Sequence, residues 1–108
     1  MIKYVIRFLP EYNCTSLWPE NEAARNDFDM PIDYKEIGLS VSLINDLEKF
    51  DDSIMTIIDW NNPGGASPLS NEEQLAIYNE GKRLLLLVRN ELKEEFEVID
   101  CIDWLNTR

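Results

Sequence analysis

Histidine is absent from the 108 residues. Its absence removes the usual general base near neutral pH, the usual orienter of a Ser or Cys nucleophile, and the commonest transition-metal side chain. Most hydrolase designs are thereby excluded, although paired carboxylates in unlike environments still allow acid–base chemistry. Cysteine is scarce: Cys14 and Cys101 stand far apart in no metal-ligand spacing, and two thiols make no disulfide framework. Both are read as reduced. No stretch approaches the roughly 20 apolar residues of a membrane span. Met1-Ile2-Lys3-Tyr4 has neither the apolar core nor the cleavage site of a secretion signal, so cytoplasmic residence is expected and the Asn13-Cys14-Thr15 glycosylation match is chance. Internal repeats and low-complexity tracts are also missing. The scarce charge is the positive one: 10 Lys and Arg face 21 Asp and Glu, for a formal charge of −11. Such a field repels nucleic acid and anionic membranes, and attracts a basic protein at rates that fall with salt.

What is present suits one domain over residues 1–108, with enough apolar content for a core without disulfides or metal. From Ile2 to Leu9 apolar and β-branched residues alternate as in a strand with a buried face, and Pro10 stops it. Pro19-Glu20-Asn21-Glu22 reads as the first turn of a short helix over residues 19–26, and a short extended piece is expected at residues 32–37. From Ser42 as N-cap, Leu43, Leu47, Phe50, Ile54, Ile57 and Ile58 fall on one stripe at about 100° per residue, which predicts a helix through all of them. Asn61 to Pro68 is turn chemistry. Ser70-Asn71-Glu72-Glu73 is a capping box, and the helix it opens carries Ile77, Tyr78, Gly81, Leu84, Leu85, Val88, Leu92 and Phe96 on one face, about 37 Å long if it runs to Glu95. Gly81 within that stripe implies a close backbone approach, and the off-stripe Leu86 and Leu87 suggest a second buried side. Phe96 to Ile102 reads as a final strand. The expected class is α+β: a small sheet including the N- and C-terminal strands, packed against two long amphipathic helices and one short helix.

Few residue patterns carry chemistry. Asp27, Asp29 and Asp33 occupy the first, third and seventh places of a would-be calcium loop, but Ile32 sits where glycine is needed and Gly38 where a bidentate glutamate belongs. Gly81-Lys82-Arg83 lacks the upstream glycine and the Ser/Thr of a phosphate loop, and Glu72 and Glu73 would repel an anion from the helix that follows Asn62-Pro63-Gly64-Gly65. No metal and no cofactor is expected. More informative is the helix face shared by Glu48, Asp52 and Asp59, where like charges are tolerated at a small loss; it reads either as a ligand face or as an ordinary solvated one. Trp60, beside Ile57 and Ile58, is expected at the core or its edge, whereas Trp18 fits an interface as well as a core.

Several segments together resemble the immunity proteins of bacterial contact-dependent growth inhibition and related polymorphic toxin systems. They are Leu17-Trp18-Pro19, Ala23-Ala24, Gly38-Leu39-Ser40, Ile58-Asp59-Trp60-Asn61-Asn62-Pro63, Glu72-Glu73, Arg89-Asn90-Glu91-Leu92 and Phe96-Glu97-Val98. Their order and spacing carry the likeness, which spans residues 17–98. The resemblance implies a non-enzymatic cytoplasmic protein that neutralises the C-terminal toxin domain of a sibling effector, often a nuclease; it carries over no contact residue. The expected toxin-binding residues are, on charge, Asp27, Asp29 and Asp33 in one loop and Glu48, Asp52 and Asp59 on one helix face, and, as an aromatic that fits an interface, Trp18. Two other classes stay open: a carboxylate-based enzyme, and a small adaptor or homo-oligomer that uses Leu86 and Leu87 as an apolar contact.

Overall fold

The computed structural model describes residues 1–106. The alternating N-terminal segment forms β1 (Tyr4–Phe8), with Ile6 and Phe8 fully buried. The chain then turns at Asn13 and returns as β2 (Leu17–Pro19), antiparallel to β1 with Arg7 opposite Trp18. The other neighbour of β1 is β3 (Phe96–Asp100), parallel and in register from Tyr4↔Phe96 to Phe8↔Asp100. The order β2-β1-β3 places the N-terminal strand at the centre of the sheet. A parallel neighbour requires a crossover, and three helices lie between the two strands.

Pro19 ends β2 and does not open the short helix, which is α1 (Glu22–Asp27). Asn21 caps it by accepting the Ala24 amide at 3.0 Å, so the asparagine side chain outcompetes the proline as start signal. The expected extended piece at residues 32–37 is instead a series of turns closed by Gly38, whose φ of 85° suits a residue without Cβ. Ile32, Tyr34, Ile37 and Leu39 hang from those turns into the core.

The next helix, α2 (Val41–Met55), begins at Ser40 and not Ser42: the Ser40 hydroxyl accepts the Leu43 amide at 3.2 Å. Helix α2 also stops before the expected end. Thr56 Oγ1 donates to the Ser53 carbonyl at 2.6 Å, the acceptor that the Ile57 amide would use in continued helix, and the Ile57 amide goes to the Ile54 carbonyl instead at 3.2 Å. Ile57, Ile58 and Asp59 therefore leave the helical phase, and Trp60 is 50% exposed, not a core residue.

The longest element, α3 (Asn71–Leu92), starts at the capping box: Ser70 Oγ accepts the Glu73 amide at 3.1 Å while Glu73 accepts the Ser70 amide at 2.9 Å. It runs about 33 Å and ends short of Glu95, because Lys93 takes φ 59°, ψ −146° and a 3-10 turn (Lys93–Glu95) follows. Gly81, Leu84, Leu85 and Val88 form its buried face. A Cβ on Gly81 would lie 3.0 Å from Phe50 Cζ, which is the close approach that the glycine implied. Leu86 and Leu87 do not make a second buried side: they are 63% and 37% exposed. The last strand stops at Asp100, where Oδ1 accepts the Ile102 amide at 3.0 Å and turns the chain, so Ile102 enters the core from outside the sheet. The core is one cluster in which Ile6, Phe8 and Leu17 of the sheet meet Leu47, Phe50 and Ile54 of α2 and Leu84 and Val88 of α3. Among the described residues, no helix is long and apolar enough to cross a membrane.

Candidate functional site

A cleft of about 680 Å³ opens between the β1–β2 turn, the turns that follow α1, and α2. Its helical wall is Ile44, Glu48, Asp51, Asp52 and Met55, a spacing that places all five on one strip of α2 beside the strip that faces the core. The opposite walls come from Asn13, Cys14 and Thr15, and from Pro31, Asp33, Tyr34 and Lys35. The lining thus holds the carboxylates of Asp33, Glu48, Asp51 and Asp52 against the single cation of Lys35.

The fold uses four further cations elsewhere. Lys82 pairs with Asp100, and Arg83 with Glu80 at 2.7 Å and Asp46 at 3.4 Å. Arg89 donates to the Val98 carbonyl at 2.6 Å. Arg7 Nε lies 2.8 Å from Glu20 Oε2, but off hydrogen-bond geometry, so that contact is Coulombic.

At the floor of the cleft Asp51 braces three segments. Ser16 Oγ donates to its Oδ1 and the Tyr34 hydroxyl to its Oδ2, each at 2.6 Å, while the Tyr34 oxygen accepts the Ser16 amide at 2.7 Å. Burial pushes the Asp51 carboxyl up to about 6, with the nearby Asp52 and Glu48 charges adding to the rise and the two hydroxyl donors opposing it. Burial, and then the Asp51 charge, hold the Tyr34 phenol well above its usual range. Both oxygens of Asp51 are engaged from within the fold, so its geometry is that of a brace, and the outward carboxylates available to a partner are Asp33, Glu48 and Asp52. These three are exposed. Among the described residues, no group of three or more Cys, Asp or Glu is placed to hold a metal ion.

The residues singled out from sequence divide accordingly. Asp33, Glu48 and Asp52, from a loop and a helix, meet across the cleft. Asp27, at the end of α1, accepts a hydrogen bond from the Tyr4 hydroxyl, and Asp29 stands beside Glu36, whose carboxyl is raised by desolvation and by that neighbour. Asp59 lies beyond the end of α2 and accepts the Asn61 amide at 3.0 Å. None of these three lines the cleft. Trp18 belongs to β2; it is half-buried, and its indole N–H donates to the Leu9 carbonyl at 2.8 Å.

Two features escape the sequence reading. The Ser16–Tyr34–Asp51 brace joins residues far apart in the chain, and its only sequence signal is an acid bordering the apolar stripe of α2. The second is an aromatic cluster in which Tyr12 lies edge-on to both Trp60, at 5.6 Å, and Trp104, at 5.9 Å.

No curated protein matches the chain. A family model described as Serratia CdiI immunity protein-like matches residues 4–101, from the first strand to just past the last. That match covers the sheet, all three helices and every wall of the cleft, and the chain belongs to the Serratia CdiI immunity protein-like family.

Proposed function

We propose that the chain, as one immunity-type domain over residues 1–108, binds a basic nuclease toxin domain and blocks it sterically and electrostatically through the acidic cleft. Family membership supplies the coarse part: an immunity protein has a cognate toxin that it neutralises, and that role favours binding over catalysis. The observation that supports the finer part is the imbalance within the cleft, where Asp33, Glu48, Asp51 and Asp52 face only Lys35. Carboxylates on two walls of one groove suit the Lys and Arg that a nuclease uses to hold phosphates. Binding there would withdraw those cations from the nucleic acid. The same charge disfavours nucleic acid and anionic membranes as partners, and the encounter takes place in the cytoplasm. Asp27, Asp29 and Asp59 extend the negative field around the cleft and contribute chiefly to the association rate. Trp18, half-buried beside Arg7, is a rim contact at most.

Co-expression with the toxin domain encoded beside this chain's gene tests the reading. The wild-type protein should restore growth and form a complex measurable by calorimetry. Reversing Asp33, Glu48 and Asp52 to lysine should weaken that complex at least tenfold and flatten its salt dependence. Unchanged affinity in the triple variant rules out the cleft as the contact.

A second reading draws on Leu86 and Leu87, whose exposure leaves an apolar strip on α3 that suits a homo-oligomerising adaptor. Sedimentation equilibrium separates the two: a monomer that binds the toxin leaves the adaptor without support.

A further inference from the structure

Glu11-Tyr12, Asp59-Trp60 and Asp103-Trp104 are three of the six places in the sequence where a carboxylate directly precedes an aromatic ring. The fold gathers the three rings. Tyr12 stands at 90° to Trp60 and at 67° to Trp104, so the middle ring is held edge-to-face on both sides. Each indole N–H is satisfied by a main-chain carbonyl, Trp60 Nε1 by Met55 at 2.8 Å and Trp104 Nε1 by Pro10 at 3.1 Å. Trp60 is thereby fixed in place, yet 50% of it is exposed. Its polar atom is already used, so what it presents outward is carbon and π surface. A large aromatic held rigid and left uncovered resembles the centre of a binding surface more than a solvated loop side chain.

The carboxylates at this patch are exposed, and no ion pair among the described residues uses Glu11 or Asp59. Glu11 is close enough to add to the rise that burial gives the Tyr12 phenol. The patch also adjoins the cleft. Met55, whose carbonyl holds Trp60, lines the cleft, as does Asn13, whose amide donates to Met55 Sδ at 3.1 Å. An aromatic face bordered by carboxylates is the surroundings in which a guanidinium gains twice, from the π face and from a charged acceptor; an ammonium is more strongly hydrated and gains less on both counts.

We infer that Trp60, with Tyr12 behind it and Glu11 and Asp59 beside it, is a second contact of the interface, which takes an arginine-bearing segment of the toxin domain at the end of the acidic cleft. This rests on the toxin-binding reading above and adds to it an aromatic anchor that composition does not reveal. The anchor fixes position, and the cleft supplies most of the charge.

The test uses the full chain and the toxin domain encoded beside its gene, with calorimetry across a salt series. Trp60→Ala should weaken binding at least tenfold, while Trp60→Phe, which keeps an aromatic face, should stay within about threefold of wild type. The pair Glu11→Gln and Asp59→Asn should lower the salt slope without abolishing the complex. Hydroxyl-radical footprinting of the wild-type complex, which requires no variant to fold, should show Trp60 protected. Wild-type affinity in Trp60→Ala, or an unprotected Trp60 in the complex, overturns the patch and leaves the cleft standing. Absence of any wild-type complex overturns the toxin reading itself, and the patch with it.

Discussion

At the scale of single residues, Asp51 should dominate the pH dependence of stability within the core. Its carboxyl rises from an ordinary 3.8 to about 6 on folding. Between those values the folded chain binds more protons than the unfolded one, so stability falls as pH rises through that window and is regained on acidification. After allowance for partial solvent contact the amplitude should be about 1–2 kcal/mol. General self-repulsion in a chain of charge −11 slopes the same way, so the specific measurement is the difference between wild type and Asp51→Asn. Denaturant titrations from pH 4 to 7 should show a flatter profile in the variant, whatever its absolute stability. Gly81 offers a test of packing: its position against Phe50 leaves no room to spare, since even a Cβ would require the ring to give by a few tenths of an ångström. Gly81→Val should destabilise by about 1–3 kcal/mol through overpacking, read as a lower denaturation midpoint. Lys93 invites the opposite change. Its φ of 59° and ψ of −146° fall in a region that only glycine occupies without strain, and its side chain is exposed. Lys93→Gly should therefore raise stability by about 1 kcal/mol, visible as a higher melting temperature.

At the scale of elements, one side chain ties the end of α3 to the start of α2. Glu91, in the last turn of α3, accepts the Ser40 amide at 2.8 Å and the Ser40 hydroxyl at 2.6 Å, and that hydroxyl in turn caps α2. The carboxylate also sits at the positive end of the α2 dipole. Ser40→Ala should cost about 1 kcal/mol, and Glu91→Ala should lower the melting temperature in the same direction. If the two act through one cap, the double variant should lose less than the sum. This joint explains what the sequence could and could not convey. The strand β1 and the start of α3 were legible because alternation and a capping box are local patterns. The start of α2 was misplaced by two residues because Ser40 and Ser42 are equivalent as local signals, and only Glu91, distant in sequence, favours the first. The early end of α2 is hidden because the hydrophobic phase continues through Ile57 and Ile58 while the Thr56 hydroxyl interrupts the backbone ladder at the Ser53 carbonyl. The strand β2 was missed because three residues that end in proline are too few to show alternation.

At the scale of the whole molecule, an excess of eleven negative charges is spread over a body of about 43 × 25 × 22 Å. Screening should relieve the repulsion within it: the melting temperature should rise between low salt and about 0.15 M, where the Debye length is about 8 Å. Association with the toxin should slow over the same range. Part of the candidate site is legible, since Asp33, Glu48 and Asp52 stand out in the sequence by charge and do share the cleft. The rest was not, because Asp59 depended on a helix that ends before reaching it, and because the exposure of Trp60 is decided by a turn whose local sequence looks apolar. The central position of β1 has one more consequence, which concerns time. Its parallel partner begins at Phe96, so during synthesis the middle strand of the sheet waits for the last one with an edge open and the core incomplete. In a series of ribosome-arrested chains, protease resistance should appear only once β3 has left the exit tunnel. A half-made copy then protects nothing, and a cell meeting the toxin is guarded by the finished molecules it already holds.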